Sequence, residues 1–467
     1  MLRMINFLLC VVVLLFTSLP VLGSPTMRGT IIIDISDGTI TGDITLENFE
    51  RDENSAYLLN HGLNIKELRD SSGVILKYNR LQESPRYESS AYVIPTNDKK
   101  SRNYVPSSVS FHYTGKFPVY SNSEKSAKDW KGNIAFNDSG MRADGLQSAL
   151  FPTFFTFKND RVHDLVTYDL TVICAACSHI YIAGDKVRSA PKATFTAALP
   201  SSPMIVAGKY KISSQQGADI IESNTKEENH FSVGTNWSDV IESTKSYVSC
   251  EMVKNRPFVF VELDSLDGYS GWMWASTNTI VSVGNGSTLK PFLRGNNLEN
   301  HVEDFSFLVH EYTHLCTETL GQGGPLSLLL NESVAEYVSL ISIEKVFGQA
   351  VLKNKICELQ NSISDAFPAS RVKNLKNAMM SLDVFSQNYI FGPLLLLQLD
   401  RSYGRDFTLK FINSLIEKSK KGIYININLL NSMLSTINKE SKKNKEISTS
   451  EGNIEEIEVT NIDCNLK

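Results

Sequence analysis

The stretch Phe307-Leu-Val-His-Glu-Tyr-Thr-His-Leu-Cys316 decides how the rest of this chain is read. It contains His310, Glu311 and His314 in the pattern His-Glu-x-x-His. On a helix, residues four apart share a face, so both imidazoles can grip one metal ion. Glu311 lies close enough round the helix to reach a water on that ion. Apolar neighbours Phe305, Phe307, Leu308, Val309 and Leu315 suit a buried helix, the right setting for a dry site. Zinc with two imidazoles needs a third protein ligand and an open fourth position to be catalytic. Its bound water then has a lowered pKa, and Glu311 can take the proton. Cys316 points off the metal face and reads as core.

The third ligand is sought downstream. Asn331-Glu-Ser-Val-Ala-Glu-Tyr337 places Glu332 and Glu336 four apart, hence on one face of a second helix. Glu332 starts that helix after the turn-rich Gly321-Gln-Gly-Gly-Pro325, which can fold it back onto the histidines, and it is the expected ligand. Glu336 is expected to hydrogen-bond a ligand histidine from behind. Glu318 is a rival ligand, but it continues the first helix, where the geometry is poor. The expected cofactor is one Zn2+ per chain.

The frame around this site is a chain of 467 residues with net charge −5, long enough for two or three domains. No basic stripe with interleaved aromatics is present, so nucleic acid is not an expected partner. Residues 1–23 combine Arg3, an apolar run from Phe7 to Leu19 and Val21-Leu-Gly23, and read as a signal peptide cut after Gly23. An uncleaved membrane anchor is the alternative, and it is the only route to a membrane. The expected localisation is secreted or periplasmic. Beyond the leader lie Cys174, Cys177, Cys250, Cys316, Cys357 and Cys464, whose connectivity the sequence leaves open. Cys174-Ala-Ala-Cys177 is a local disulfide or a pair of buried thiols, since a zinc ribbon would need a second half.

From Met27 to about Ser202 the pattern is β. Thr30-Ile-Ile-Ile-Asp-Ile35, the turn Ser36-Asp-Gly38 and Ile40–Leu46 make a hairpin, and further short strands follow at irregular spacing. The expected architecture is α+β and multidomain. An antiparallel β-sandwich or saddle over residues 24–204 precedes a mainly helical region over 205–437 and a polar, disordered tail over 438–467. Helices are predicted at Trp237–Val253, Val302–Leu320, Glu332–Val346, Ala350–Ser362, Arg371–Leu382, Gln387–Tyr403, Asp406–Lys418 and near Asn428–Ile437.

The two motifs together resemble the gluzincin metallopeptidases, and most of all the aminopeptidase N family. That family follows its His-Glu-x-x-His helix with Glu-x-x-Ala-Glu-Tyr, usually with Asn before the first Glu. Here the spacing from His314 to Glu332 is one residue shorter than the family's. The resemblance implies a thermolysin-like catalytic domain over 205–437 behind the N-terminal β domain, without the family's large C-terminal helical domain. It also implies that Tyr389, in Asn388-Tyr-Ile-Phe-Gly392, matches the family's Tyr-x-x-Gly and stabilises the oxyanion. A departure occurs at Gly271-Trp-Met-Trp-Ala275, where the family has Gly-x-Met-Glu-Asn and uses the glutamate to hold a free amino terminus. Trp274 replaces that carboxylate, so selection for an α-amino group is not expected. Gly271, Trp272, Met273 and Trp274 are instead expected to bind substrate through flat apolar surface.

The resulting expectation is an exported zinc metallopeptidase acting on peptide or protein substrates. His310, His314 and Glu332 would hold zinc, with Glu311 as general base and Tyr389 on the oxyanion. The alternative is a catalytically silent binding or structural protein on an aminopeptidase-like scaffold. A weaker option is hydrolysis of a non-peptide substrate.

Overall fold

The protein is described here as a computed structural model covering residues 25–442 apart from 50–51, 53, 85–87, 96–104, 121–133, 144–147, 216–217, 223–234, 251–257, 264–271, 284–300 and 367–373, together with 453–455 and 457–459. The leader and its cleavage point lie outside the described residues. The architecture is α+β and multidomain, with β layers first and helices after.

The largest sheet runs Lys192–Ser201, Val166–Ile173, Thr26–Asp34, Thr39–Glu47, Ser108–Lys116, Leu63–Asp70 in spatial order. Its centre is the expected hairpin. Thr26–Asp34 pairs antiparallel with Thr39–Glu47, and Gly38, at φ 75°, makes the turn between them. Strand alternation puts Ile31 and Ile33 inward, each no more than 2% exposed, and leaves Ile32 outside at 48%. Two further five-stranded sheets complete the β half. One is centred on Gly140–Ala143 with Ile205–Gly208, the other on Ser55–Asn60 with Ser89–Val93. A shared core of Ile44, Phe111, Tyr113, Phe136, Phe154, Leu170 and Phe195 lies among them.

The strand Ile205–Gly208 belongs to this β half, and the next sheet begins at Lys211. That fourth sheet orders Lys211–Gln215, Ala218–Glu222, Phe258–Leu263, Thr279–Val283, Trp272–Ser276. It acts as a partition. Ile221, Val259, Val261 and Val281 face the β half and pack with Tyr181, Met204 and Val206. Ile220, Phe258, Phe260 and Ile280 face the helices. Period-two alternation with both faces apolar is what a sheet buried on two sides requires.

The helices are α1 (Thr235–Lys245), α2 (Val302–Thr317), α3 (Ser327–Phe347), α4 (Gln349–Ala366), α5 (Leu375–Ser381), α6 (Gly392–Tyr403), α7 (Arg405–Lys420) and α8 (Ile427–Lys442). Their ends differ from the sequence reading where local geometry changes. The helix predicted to reach Leu320 tightens at Glu318–Gln322 into a 3-10 turn. The helix predicted from Gln387 begins with a π-helical turn, Gln387–Phe391, before α6 starts with Pro393 in its first turn. The helix predicted to start at Glu332 starts five residues earlier, at Ser327. Helix α3 is buried on almost every side, with Val334, Ala335, Tyr337, Val338, Ile341 and Ile343 all fully enclosed, and the other helices wrap it. In the expected disordered tail, α8 extends to Lys442 and Ile454 is buried, with its amide donating to Asn431 Oδ1 at 2.8 Å. The sparse apolar residues Ile454, Ile457 and Val459 are what anchor this otherwise polar stretch to the helical core. Among the described residues no helix is long and apolar enough to cross a membrane.

Candidate metal centre

Helix α2 carries His310, Glu311 and His314 on one stripe, with Leu308, Val309 and Tyr312 packed into the core behind them. Helix α3 crosses it and brings up Glu332. His310 Nε2, His314 Nε2 and a Glu332 oxygen converge on one point. The nitrogens are 3.0 Å apart, and Glu332 Oε2 lies 3.3 Å from the first and 3.2 Å from the second. Tetrahedral zinc with bonds of about 2.0–2.2 Å would separate its ligand atoms by about 3.3–3.6 Å. The three side chains therefore fit a zinc ion, and they are the group of potential metal ligands found among the described residues. The shortened loop between the motifs does not prevent the convergence, because the 3-10 turn Glu318–Gln322 takes up the reversal.

Glu336, one turn after Glu332, accepts from His310 Nδ1 at 3.0 Å. That contact fixes the imidazole with its other nitrogen aimed at the metal point. Burial opposes charge on His310, but Glu332 and Glu336 outweigh it and hold the imidazole's proton affinity well above the ordinary value. Glu332 shows the reverse balance. Burial disfavours its charged form, yet His314 and His310 hold its carboxyl well below the usual range. The cluster thus has a strong net attraction for a cation.

Glu311 is 5% exposed and its Oε2 is buried without a hydrogen-bond partner among the described residues. An unsatisfied buried carboxylate oxygen is costly unless something polar occupies the space beside it. Burial also raises its pKa, which improves it as a proton acceptor near neutral pH.

Tyr389 reaches the site from the π-helical turn. Its ring stacks on His310 with centroids 5.9 Å apart and planes 21° apart, and its hydroxyl interacts with Glu332. Burial, reinforced by Glu332, raises the phenol's pKa, so it remains a hydrogen-bond donor. Two local devices place it. Asp383 caps the single turn Val384–Ser386, accepting from Ser386 N at 3.0 Å and Ser386 Oγ at 2.7 Å. Gly392 permits close approach of α6 to α3, since a Cβ there would stand 1.7 Å from Ser333 Oγ. The same serine hydroxyl donates to Asn388 O at 3.0 Å. Phe385, 64% exposed, also stacks on Tyr389, with centroids 5.0 Å apart.

Several sequence expectations are revised. Glu318 is turned away from the metal point and accepts from Thr277 Oγ1 at 3.4 Å. Trp274, expected to bind substrate, is partly buried and packs toward the β half, with the Arg142 guanidinium 5.1 Å from its ring centre. On the same strand it is Ala275 that faces the helices, because alternation sends neighbours to opposite sides. Gly271 lies outside the described residues, as do the side chains of Trp272 and Met273. Cys316 lies in the core as expected, and its partner, which the sequence left open, is Cys250. Cys174 and Cys177 form a local disulfide, and Cys357 is also disulfide-bonded. Phe385, which the sequence reading passed over, could have been found as an apolar residue one turn before Tyr389.

No protein-family model matches the chain, and no curated protein matches it in sequence. Solved structures do match it in shape. Yeast (Saccharomyces cerevisiae) LTA4 hydrolase in complex with bestatin superposes with TM-score 0.58 at 15% identity, over 90% of this chain and 65% of the yeast enzyme. Legionella pneumophila aminopeptidase A in complex with aspartic acid gives 0.56 at 11% identity, over 89% of this chain and 47% of that one. An aminopeptidase N family protein from Idiomarina loihiensis gives 0.51 at 13%, over 87% and 73%. The chain thus spans less than two thirds of the yeast enzyme's length. With β layers first, a partition sheet, and a helical scaffold holding two histidines and a glutamate at one point, the chain has the fold of the LTA4 hydrolase and aminopeptidase N structures.

Proposed function

We propose that this protein is an exported, zinc-dependent peptidase. The observation that carries the reading is the convergence of His310, His314 and Glu332, with the buried Glu311 carboxylate on the same helix face and the Tyr389 phenol stacked against His310. Such a constellation suits attack of water on an amide carbonyl. Zinc held by His310, His314 and Glu332 would supply a Lewis acid and a water of lowered pKa. Glu311 takes the proton from the attacking water and passes it to the leaving nitrogen. Tyr389 donates a hydrogen bond to the carbonyl oxygen as negative charge develops there. Glu336 keeps the His310 ring in register throughout.

The replacement of the family's amine-binding glutamate by Trp274 argues against a requirement for a free amino terminus. Phe385 offers substrate an exposed apolar face beside Tyr389, taking the part that the sequence suggested for Trp274. Export is supported by the N-terminal sequence and by the disulfides, which persist in oxidising compartments.

The test is metal content and peptide cleavage by the mature chain, using a library with free and acetylated amino termini. Glu311→Gln should keep zinc and lower cleavage by about 10²–10⁴-fold. Full cleavage by that variant would sink the mechanism, and zinc without cleavage by the unaltered chain would favour a binding protein.

A further inference from the structure

The two ligand histidines are not held alike. His310 is fixed through its second nitrogen by Glu336, at 3.0 Å. His314 Nδ1 is buried and has no hydrogen-bond partner among the described residues. Metal-binding imidazoles are nearly always oriented through the nitrogen that does not touch the metal. His314 is contacted through Nε2, by Glu332 and His310, so on the side away from the metal point its direction is left to its backbone. That backbone lies in the last turn of α2, where carbonyls run out of intrahelical partners and the chain tightens into the 3-10 turn. Thr317 Oγ1, 3.2 Å from Asn331 Oδ1, is a non-covalent tie at this end.

Two residues past His314, Cys316 is disulfide-bonded to Cys250. The segment that carries Cys250 is itself anchored. The Tyr247 hydroxyl donates to Ile341 O at 3.3 Å, on the helix that bears Glu332. The Asn413 side chain donates to Tyr247 O at 3.0 Å and accepts from Ser249 N at 2.8 Å. Upstream, Trp237 of α1 packs edge-on to Tyr312 of α2, with centroids 5.4 Å apart. Cys316 is enclosed, whereas Cys250 is half-buried beside exposed Ser249 and within reach of a reductant.

We propose that the Cys250–Cys316 disulfide is the positioning element for His314, so that the grip of the site on zinc depends on the redox state of this pair. The inference rests on reading the site as a zinc centre. The bond substitutes for the missing hydrogen bond at Nδ1 by fixing the backbone from which the ring projects. Reduction by a phosphine breaks the S–S bond and leaves two thiols, while the phosphine takes oxygen from water and becomes the phosphine oxide.

The experiment measures zinc affinity of the full chain by competition with a chromogenic chelator, alongside melting of the metal-free protein. It compares the oxidised protein, the same protein reduced with a phosphine that is then removed under nitrogen, and a Cys250→Ala/Cys316→Val variant that refills the space without the bond. Zinc affinity should fall about 10–100-fold on reduction and equally in the variant, the usual effect of losing an orienting partner. Phosphine treatment should not weaken the variant further, although its remaining disulfides are still reducible. Cys174→Ser/Cys177→Ser should stay as sensitive to reduction as the unaltered chain. If reduction lowers the melting temperature but leaves zinc affinity unchanged, the disulfide is merely structural and the proposal is overturned. If the variant does not fold, the unaltered chain and the Cys174→Ser/Cys177→Ser variant are compared on reduction, and unchanged zinc affinity in both still overturns the proposal. No zinc binding by the oxidised protein would instead overturn the zinc reading itself.

Discussion

The half of the site built on α3 and the half at the end of α2 are held by different means. On the α3 side, Glu332 and Glu336 are consecutive on one face of a helix enclosed by others, and a carboxylate aims the His310 ring. At the end of α2, His314 has no such carboxylate, and the constraint comes from a covalent tie two residues away. The contrast has a physical origin. A central helix is held by apolar packing along its whole length and can spare polar side chains to aim a ligand. The last turn of a helix leaves carbonyls without intrahelical partners, and the end of α2 is tied from outside, by the Thr317–Asn331 hydrogen bond and the Cys250–Cys316 bond.

The comparison can be tested at several strengths. The severest break is Glu332→Ala, which removes the ligand shared by both halves; stoichiometric zinc should be lost, as read by metal analysis after dialysis. Tyr389→Phe leaves both halves intact and removes only the donor, so kcat should fall about 10²–10³-fold with KM and zinc content little changed. An equal change in KM and kcat would place Tyr389 in packing rather than chemistry. Glu336→Gln attacks the α3 half alone and should weaken zinc about 10–100-fold in the chelator competition. Combined with loss of the disulfide, its effect should depart from a simple sum of free energies, since the two histidines are in contact and share Glu332. The smallest expected effect is that of Gly392→Ala. The new methyl meets Ser333 Oγ, so urea denaturation should show a loss of about 1–3 kcal/mol, partly recovered by Ser333→Gly.

Particular residues show why some of this was legible in advance. His310, Glu311 and His314 are set by helical spacing, and Glu332 and Glu336 by the same spacing on the next helix, so local geometry puts each set on one face. The hairpin of Ile31 and Ile40 follows from period-two alternation about a glycine turn. That Trp274 faces the β half was not legible, because alternation gives two faces without saying which neighbour each face meets. In a sheet buried on both sides, the apolar pattern is the same for either answer. Glu318 was a fair rival in sequence, and its exclusion depends on where the 3-10 turn sends it. The π-helical turn at Tyr389 arises where an Asp383 cap and a Gly392 contact meet, a combination with no period of its own.

The sequence by itself determined that His310, Glu311 and His314 share one helix, that Glu332 and Glu336 share the face of the next, and that a β half precedes a helical half, because spacing along one helix or strand is a property of the local chain. Only the tertiary structure decided that Cys316 pairs with Cys250, that Phe385 rather than Trp274 lies against Tyr389, and that no described carboxylate reaches His314 Nδ1. These are meetings between segments far apart in the chain, and they are fixed by how whole layers pack.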